Sequence, residues 1–301
     1  MAVYTTADLI DSIVNRGQFP DTTNTKTISS PVNLLRLATE ELRAKIVPIV
    51  MEVGEEFYVK TLDIPVVANQ ANYPLSTRTV GNTARSIRLI NGLSDVPFSY
   101  VDFDDAWTLA PGIPVGYYFE NNNIVLYPAP AANGYTLRTR QFFRPNRLAQ
   151  VSDCAVITAI NTATNQVTVA SAPAAWGVAT SLDMIAKEVP YACRGIDKAV
   201  TAIASNIVTF ASLPSDLVVG DYLALAEYTP LPQIPEEFQP VLAQMVVCKV
   251  LEATGDRQGL QVARADLKDD VMGCMKLLTP RDQSHPKKII GNNWRRVQNW
   301  G

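Results

Sequence analysis

The sequence predicts an α+β chain in which terminal α-helices pack as a helical bundle. An antiparallel β-sandwich or barrel domain, and an inserted β-barrel built from a repeat, lie between them. Three observations predict it. Apolar residues recur with helical spacing at both ends. Leu35, Ala38, Leu42, Ile46, Ile49 and Val53 step by 3, 4, 4, 3 and 4, and Leu260, Ala263, Leu267, Val271, Cys274 and Leu278 repeat those steps. From Glu56 to Arg147 the helical period gives way to short strand-like runs between turn residues. Within 152–228 the chain then copies itself: Val167-Thr168-Val169-Ala170-Ser171-Ala172-Pro173 matches Val208-Thr209-Phe210-Ala211-Ser212-Leu213-Pro214 at an offset of 41 residues. The expected units are 1–56 with 231–280 (helical), 57–150 (β), 152–228 (repeat module) and 281–301 (extended tail).

In chain order, Thr5 and Thr6 precede Asp8-Leu9-Ile10, and Gly17 follows. A threonine oxygen accepts an orphan amide at a helix start and glycine permits a left-handed stop, so a helix is expected over 6–16. Residues 18–29, rich in Pro, Asp, Thr and Asn, read as a loop. Ser30 is an N-cap with Pro31 at the first helical position, opening a helix over 31–53. Pro48 should kink it, because proline lacks the amide and clashes with the preceding turn, and Gly54 should stop it.

About six strands follow: Phe57 to Ile64, Asn72 to Leu75, Ser86 to Ile90, Gly116 to Glu120, Ile124 to Tyr127 and Tyr135 to Phe143. Asn121-Asn122-Asn123 joins two of them as a hairpin, since asparagine tolerates the positive φ of a tight turn. Arg138 and Arg140 alternate with apolar neighbours, as in a half-buried strand. In the repeat module each copy adds a preceding strand (Thr158-Ala159-Ile160 or Thr201-Ala202-Ile203) and a following apolar one (Leu182 to Ala186 or Tyr222 to Ala226). Three strands expose one apolar face, so the copies should close on each other as a pseudo-twofold, six-stranded barrel. The module is acidic, with seven Asp/Glu against three Lys/Arg.

Helices return at Pro235. Phe238, Leu242, Met245 and Cys248 form one stripe, and Gly255-Asp256 separates this helix from the next. From Thr279 the chain is polar, with five Lys/Arg (281, 287, 288, 295, 296) against Asp282, and it holds Trp294 and Trp300, two of the four tryptophans. Such a segment is too polar to fold alone, whereas Trp and Arg are the residues that anchor interfaces. Lys287, Lys288, Ile289, Ile290, Trp294, Arg295, Arg296, Val297 and Trp300 therefore read as a docking device. A nucleic-acid arm is a weaker reading of the same charges, which have no folded groove.

The totals close other routes. A net charge of −3 and a pI near 5.3 carry no nucleic-acid signature. No apolar run reaches the ~18–20 residues of a membrane span. The opening residues lack the layout of a signal peptide, so a cytoplasmic setting is expected. A single histidine, His285 beside Pro286, leaves no natural base for a Ser-His-Asp or Cys-His site. Cys154, Cys193, Cys248 and Cys274 form no CxxC pair and read as small buried apolar residues, and a Cys154–Cys193 disulfide lacks support in a cytosolic chain. No phosphate-loop or dinucleotide glycine motif occurs. No catalytic, cofactor or metal residues are assigned, and carboxylate-only chemistry stays open.

Several pieces together resemble a known family: Thr6-Ala7-Asp8-Leu9-Ile10; Tyr73-Pro74-Leu75 with Val80-Gly81; Gly112-Ile113-Pro114 with Tyr117; Leu126-Tyr127-Pro128-Ala129-Pro130; Phe143-Arg144-Pro145-Asn146-Arg147-Leu148; Ile234-Pro235-Glu236-Glu237-Phe238; and Leu278-Thr279-Pro280-Arg281. Over 1–150 and 231–290 the chain resembles the head-to-tail connector (adaptor or neck) proteins of tailed bacteriophages, including the tail tubular proteins of short-tailed phages. Residues 152–228 depart from the simpler pattern and look like an insertion. The resemblance implies a non-enzymatic virion protein assembled in the host bacterial cytoplasm. It implies a ring of about twelve copies beneath the portal protein, a helical bundle around the DNA channel, a C-terminal tail reaching into the portal, and a β domain facing the next tail or nozzle component. An acidic or neutral lumen would let double-stranded DNA slide without phosphate contacts. Glu40, Glu41, Glu52, Glu55 and Glu56 are the candidates for it. Two alternatives remain. One is another tail or capsid-associated structural protein whose inserted barrel binds a partner or a cell-surface glycan. The other is a carbohydrate-active module, which Trp107 and Trp176 would permit.

Overall fold

The computed structural model describes residues 3–19, 27–54, 56–96, 98–102 and 110–278. Helix α1 (Thr6–Gly17) opens on a reciprocal cap: the Asp8 amide donates to Thr5 Oγ1, and the Thr5 amide donates to Asp8 Oδ2. Its left-handed residue is Gln18, at φ 49°, not Gly17, which remains the last helical residue. The expected continuous helix over 31–53 is instead α2 (Pro31–Glu41), one widened π turn (Leu42–Ile46) and α3 (Val47–Val53). The Pro48 ring would press on the carbonyl four residues back, and widening the turn ahead of it relieves that clash without a break. Ser30 sits at the N-cap but its side chain makes no capping bond, and Gly54 ends α3 at φ −129°, outside the left-handed region.

The β domain holds β1 (Val59–Pro65), β2 (Asn72–Pro74), β3 (Thr79–Asn91), β4 (Ser94–Val96), β5 (Ser99–Tyr100), β6 (Gly116–Glu120), β7 (Asn123–Tyr127) and β8 (Tyr135–Phe143). They form two four-stranded sheets, ordered β1-β8-β3-β4 and β2-β7-β6-β5. Ile87, Leu89 and Leu137 from the first sheet, with Tyr73, Ile124 and Leu126 from the second, share one core. Asn121 and Asn122 take positive φ between the paired ends Glu120 and Asn123. The expectation of a wholly antiparallel domain is corrected at β5, which pairs parallel with β6. A long connection rather than a tight turn joins those two strands, and only a long connection can bring strands together in parallel.

The short strand β9 (Arg147–Leu148) leads into β10 (Ala155–Asn161), β11 (Gln166–Val169), β12 (Ser181–Ile185), β13 (Cys193–Ala204), β14 (Ile207–Phe210) and β15 (Tyr222–Leu225). These six close as a barrel in the order β10-β11-β14-β13-β12-β15. Exchanging the two copies of the repeat maps that circular order onto itself, so the duplication is a twofold. Residues 41 apart face each other where the axis crosses the wall: Val167 opposite Val208, and Asp183 opposite Ala224. The copies also trade bonds. Asn165 Nδ2 donates to the Ala211 carbonyl, and Asn206 Nδ2 to that of Ala170. The core holds Ile157, Val167, Leu182, Met184, Val208, Phe210 and Leu223.

A last strand, β16 (Tyr228–Thr229), pairs parallel with β9 and returns the chain to the helices. Helix α4 (Gln239–Thr254) is the central one. The sequence suggested a single buried stripe, but Val241, Leu242, Ala243, Met245, Val246, Val247 and Val250 are all buried. A helix apolar on every side belongs in the middle of its neighbours, and α1, α2 and α5 (Arg257–Leu278) all pack on α4. Helix α5 is the opposite case. Only Ala263 is fully buried, and Leu267, Val271, Cys274 and Leu278 are partly covered.

Candidate functional site

The tail residues Lys287, Lys288, Ile289, Ile290, Trp294, Arg295, Arg296, Val297 and Trp300 lie outside the described residues, as do Glu55 and Trp107. The four described acids do not share one face. Glu40 and Glu52 are exposed on α2 and α3. Glu41 is buried, 2.5 Å from Lys45 Nζ and 3.9 Å from Lys249 Nζ. Glu56 precedes β1 and pairs with Arg140 and, at 3.3 Å, with Arg85.

The most built polar site lies where the helices, the β domain and the barrel meet. In β12, Leu182 and Met184 join the barrel core, and strand alternation turns Asp183 to the opposite face. Its carboxylate accepts from Arg78 Nη1 at 2.5 Å and Nη2 at 3.1 Å, from Asn146 Nδ2 at 2.8 Å, and from the amides of Asp197 and Glu227 at 3.0 Å. Arg78, just ahead of β3, also pairs with Asp197. Around this node the Asn146 amide donates to Gln233 Oε1, Gln233 Nε2 donates to the Tyr191 carbonyl, and Tyr58 Oη donates to the Gln233 carbonyl. Segment 145–149 is stitched to the helices. Arg43 donates to the Pro145 carbonyl, Thr39 Oγ1 accepts from the Leu148 amide, and Thr6 Oγ1 donates to the Ala149 carbonyl.

The electrostatics suit a lock more than a reaction. Burial, reinforced by Asp183, pushes the Cys193 thiol up to about 11, and burial pushes Cys154 up to about 12. Both stay protonated, and all four cysteines are free. Burial lowers Lys60, whose ammonium donates to the Cys193 carbonyl. Burial, with Arg144 and Arg147 nearby, lowers Arg43. No three metal-ligating side chains cluster among the described residues. Sequence reasoning did not find this node. The available signal was Asp183 itself, an acid within an apolar strand where the facing copy carries Ala224.

Two adjoining cavities of 320 and 480 Å³ flank α2, the first against the barrel and the second against β9 and β16, and they share Val32, Leu148 and Tyr228. The first is walled by Leu35, Pro173, Trp176 and Leu225, and the second by Arg36, Glu40, Arg43 and Arg147. Trp176 is 6 % exposed: it packs in the barrel core and lines the first cavity rather than standing open on the surface.

The junction commits its buried donors and acceptors to holding three modules together, and open grooves lie beside it. A sequence model for the SU10 adaptor protein family matches residues 4–186, and the chain belongs to that family of phage head-to-tail adaptors. It is thus a phage structural adaptor and a virion component. The matched stretch ends one residue beyond β12, taking in the first copy of the repeat and stopping before the second. No curated protein matches the chain. Among the described residues no helix is long and apolar enough to cross a membrane.

Proposed function

We propose that this adaptor assembles as a ring of about twelve copies between the portal and the tail, that double-stranded DNA passes through the ring, and that residues 281–301 of each copy dock onto the portal. One observation carries the reading. Helix α5 is fixed at its end, where Cys274 Sγ donates to the Glu237 carbonyl and Leu278 packs on the helical core. The next residues begin the basic, tryptophan-bearing segment. A docking segment that starts from a fixed point keeps its effective concentration high for a neighbouring surface. Its charge and aromatic content suit an interface anchor. The test is a chain truncated after Arg281, mixed with portal assemblies and followed by co-sedimentation and electron microscopy. Loss of portal binding with the fold retained is expected, and normal binding would remove the tail from the proposal.

A second reading rests on the barrel. Val178 and Val219, 41 residues apart, are both exposed at equivalent turns. Paired apolar positions of this kind suit a partner surface on the tail or capsid side.

A further inference from the structure

Helix α5 leaves a continuous face uncovered. Val262, Asp266, Asp269, Gly273 and Leu277 follow one another at helical spacing, with Val262 60 % and Leu277 73 % exposed. Asp270 lies beside them, and none of the three aspartates has an ion pair among the described residues. Lys268 falls on a different side of the helix, and exposed Lys276, seven residues after Asp269, stands at the Leu277 end of the face.

Helix α2, which also packs on α4, presents the opposite pattern. Val32, 57 % exposed, is followed by Arg36 and Arg43 on the wall of the 480 Å³ cavity, and Arg147 from β9 completes that wall. Arg36 and Arg147 have no ion pair among the described residues, and Glu40 is the only acid in this wall. Arg144 and Glu227 stand close by. Both helices pack on α4, and the acidic face and the basic groove are carried by different helices.

We infer that the α5 face of one copy seats in the α2 groove of the next. Val262 meets the apolar part of the groove, and Asp266 and Asp269, one and two turns on, meet Arg36 and Arg147. Charge complementarity selects this occupant. The chain's own C-terminal segment has five Lys/Arg against one Asp, and would bring like charge to the arginines. A contact between two different surfaces repeats head to tail and closes into a ring when its rotation allows. The inference rests on the ring proposed above and names the surfaces that build it.

The test uses the full chain in three forms: R36E/R147E, D266R/D269R, and the two combined. Sedimentation and native mass spectrometry are run at low and high salt. Each reversal should weaken self-association by at least about tenfold, and the combined protein should recover most of it. A fourth form, R36C/D269C, should give intermolecular disulfide ladders under mild oxidation. If the unmodified chain assembles but neither reversal weakens it, or no cross-link forms in the assembled state, this interface is wrong and the ring stands. If the unmodified chain stays monomeric alone and with portal, both fail. Circular dichroism on each variant separates lost assembly from lost fold.

Discussion

Removing the Asp183 carboxylate is the sharpest perturbation of the junction. The residue is 0 % exposed and Arg78 is 5 % exposed, so Asp183→Ala leaves a buried guanidinium with only Asp197, itself 56 % exposed, as counter-charge. It also strips partners from Asn146 Nδ2 and two backbone amides. Breaking a buried pair by deleting one partner costs about 3–5 kcal/mol. Asn146 Nδ2 keeps the Tyr228 carbonyl, but each orphaned backbone amide carries a penalty of about 1–3 kcal/mol, and these overlap rather than add. A loss of about 5 kcal/mol is expected, a large share of the 5–15 kcal/mol that holds a typical domain. The control is Arg78→Met with Asp183→Leu, which removes both charges and should recover most of the loss, because no uncompensated ion remains. Chemical denaturation gives the magnitude, and hydrogen exchange at the amides of Asp197 and Glu227 locates it. A single variant within about 1 kcal/mol of the parent, or a double variant no better than the single, would refute the assignment of the node as a lock.

Two other outcomes follow from the same structure. Val167 and Val208 face each other on the barrel's twofold, both 0 % exposed, so Val167→Ala and Val208→Ala should each cost about 2 kcal/mol and differ little in urea titration. A large difference would mean that the two copies are not energetically equivalent. The buried thiols also set a pH dependence. Cys154 and Cys193 are raised from 9.0 to about 12 and about 11, so their contribution is full below pH 9. It is lost as pH rises from 9 through the folded values, because the unfolded chain releases those protons first. For Cys154 this amounts to about 3 kcal/mol by pH 11. Lys60, lowered by burial, works in the opposite sense, and Tyr58, raised by burial, adds to the thiols' loss at the top of the range. Denaturation midpoints between pH 8 and 10.5 should fall less steeply for Cys154→Ala with Cys193→Ala than for the parent, and equal slopes would contradict the burial argument.

Much of the architecture was legible because it is written in local periods. The spacing of Leu35, Ala38, Leu42 and Ile46 marked the face that α2 and the π turn bury, and Asn121-Asn122 marked the hairpin through the φ that asparagine tolerates. Other features depend on neighbours that no local window contains. Pro48 required relief, but the sequence did not say whether that would be a kink or a widened turn. Helix α4 read as one stripe because its further apolar residues gain meaning only when helices surround it. The acids at 40, 41, 52 and 56 sat close in sequence, yet Glu41 found Lys45 and Lys249 indoors and Glu56 found the arginines of the β domain.

Residue spacing alone determined the main helices and strands, the duplication at 41 residues and the apolar face that each three-strand copy must cover, because each depends on which face a side chain takes along its own helix or strand. The tertiary structure decided that Asp183 would meet Arg78, 105 residues away, and that Ala224 would stand opposite it on the barrel's twofold. A period fixes the face that a carboxylate occupies. Only the packing of one module against another fixes the cation that it finds there, because that pairing depends on the relative placement of surfaces far apart in the chain.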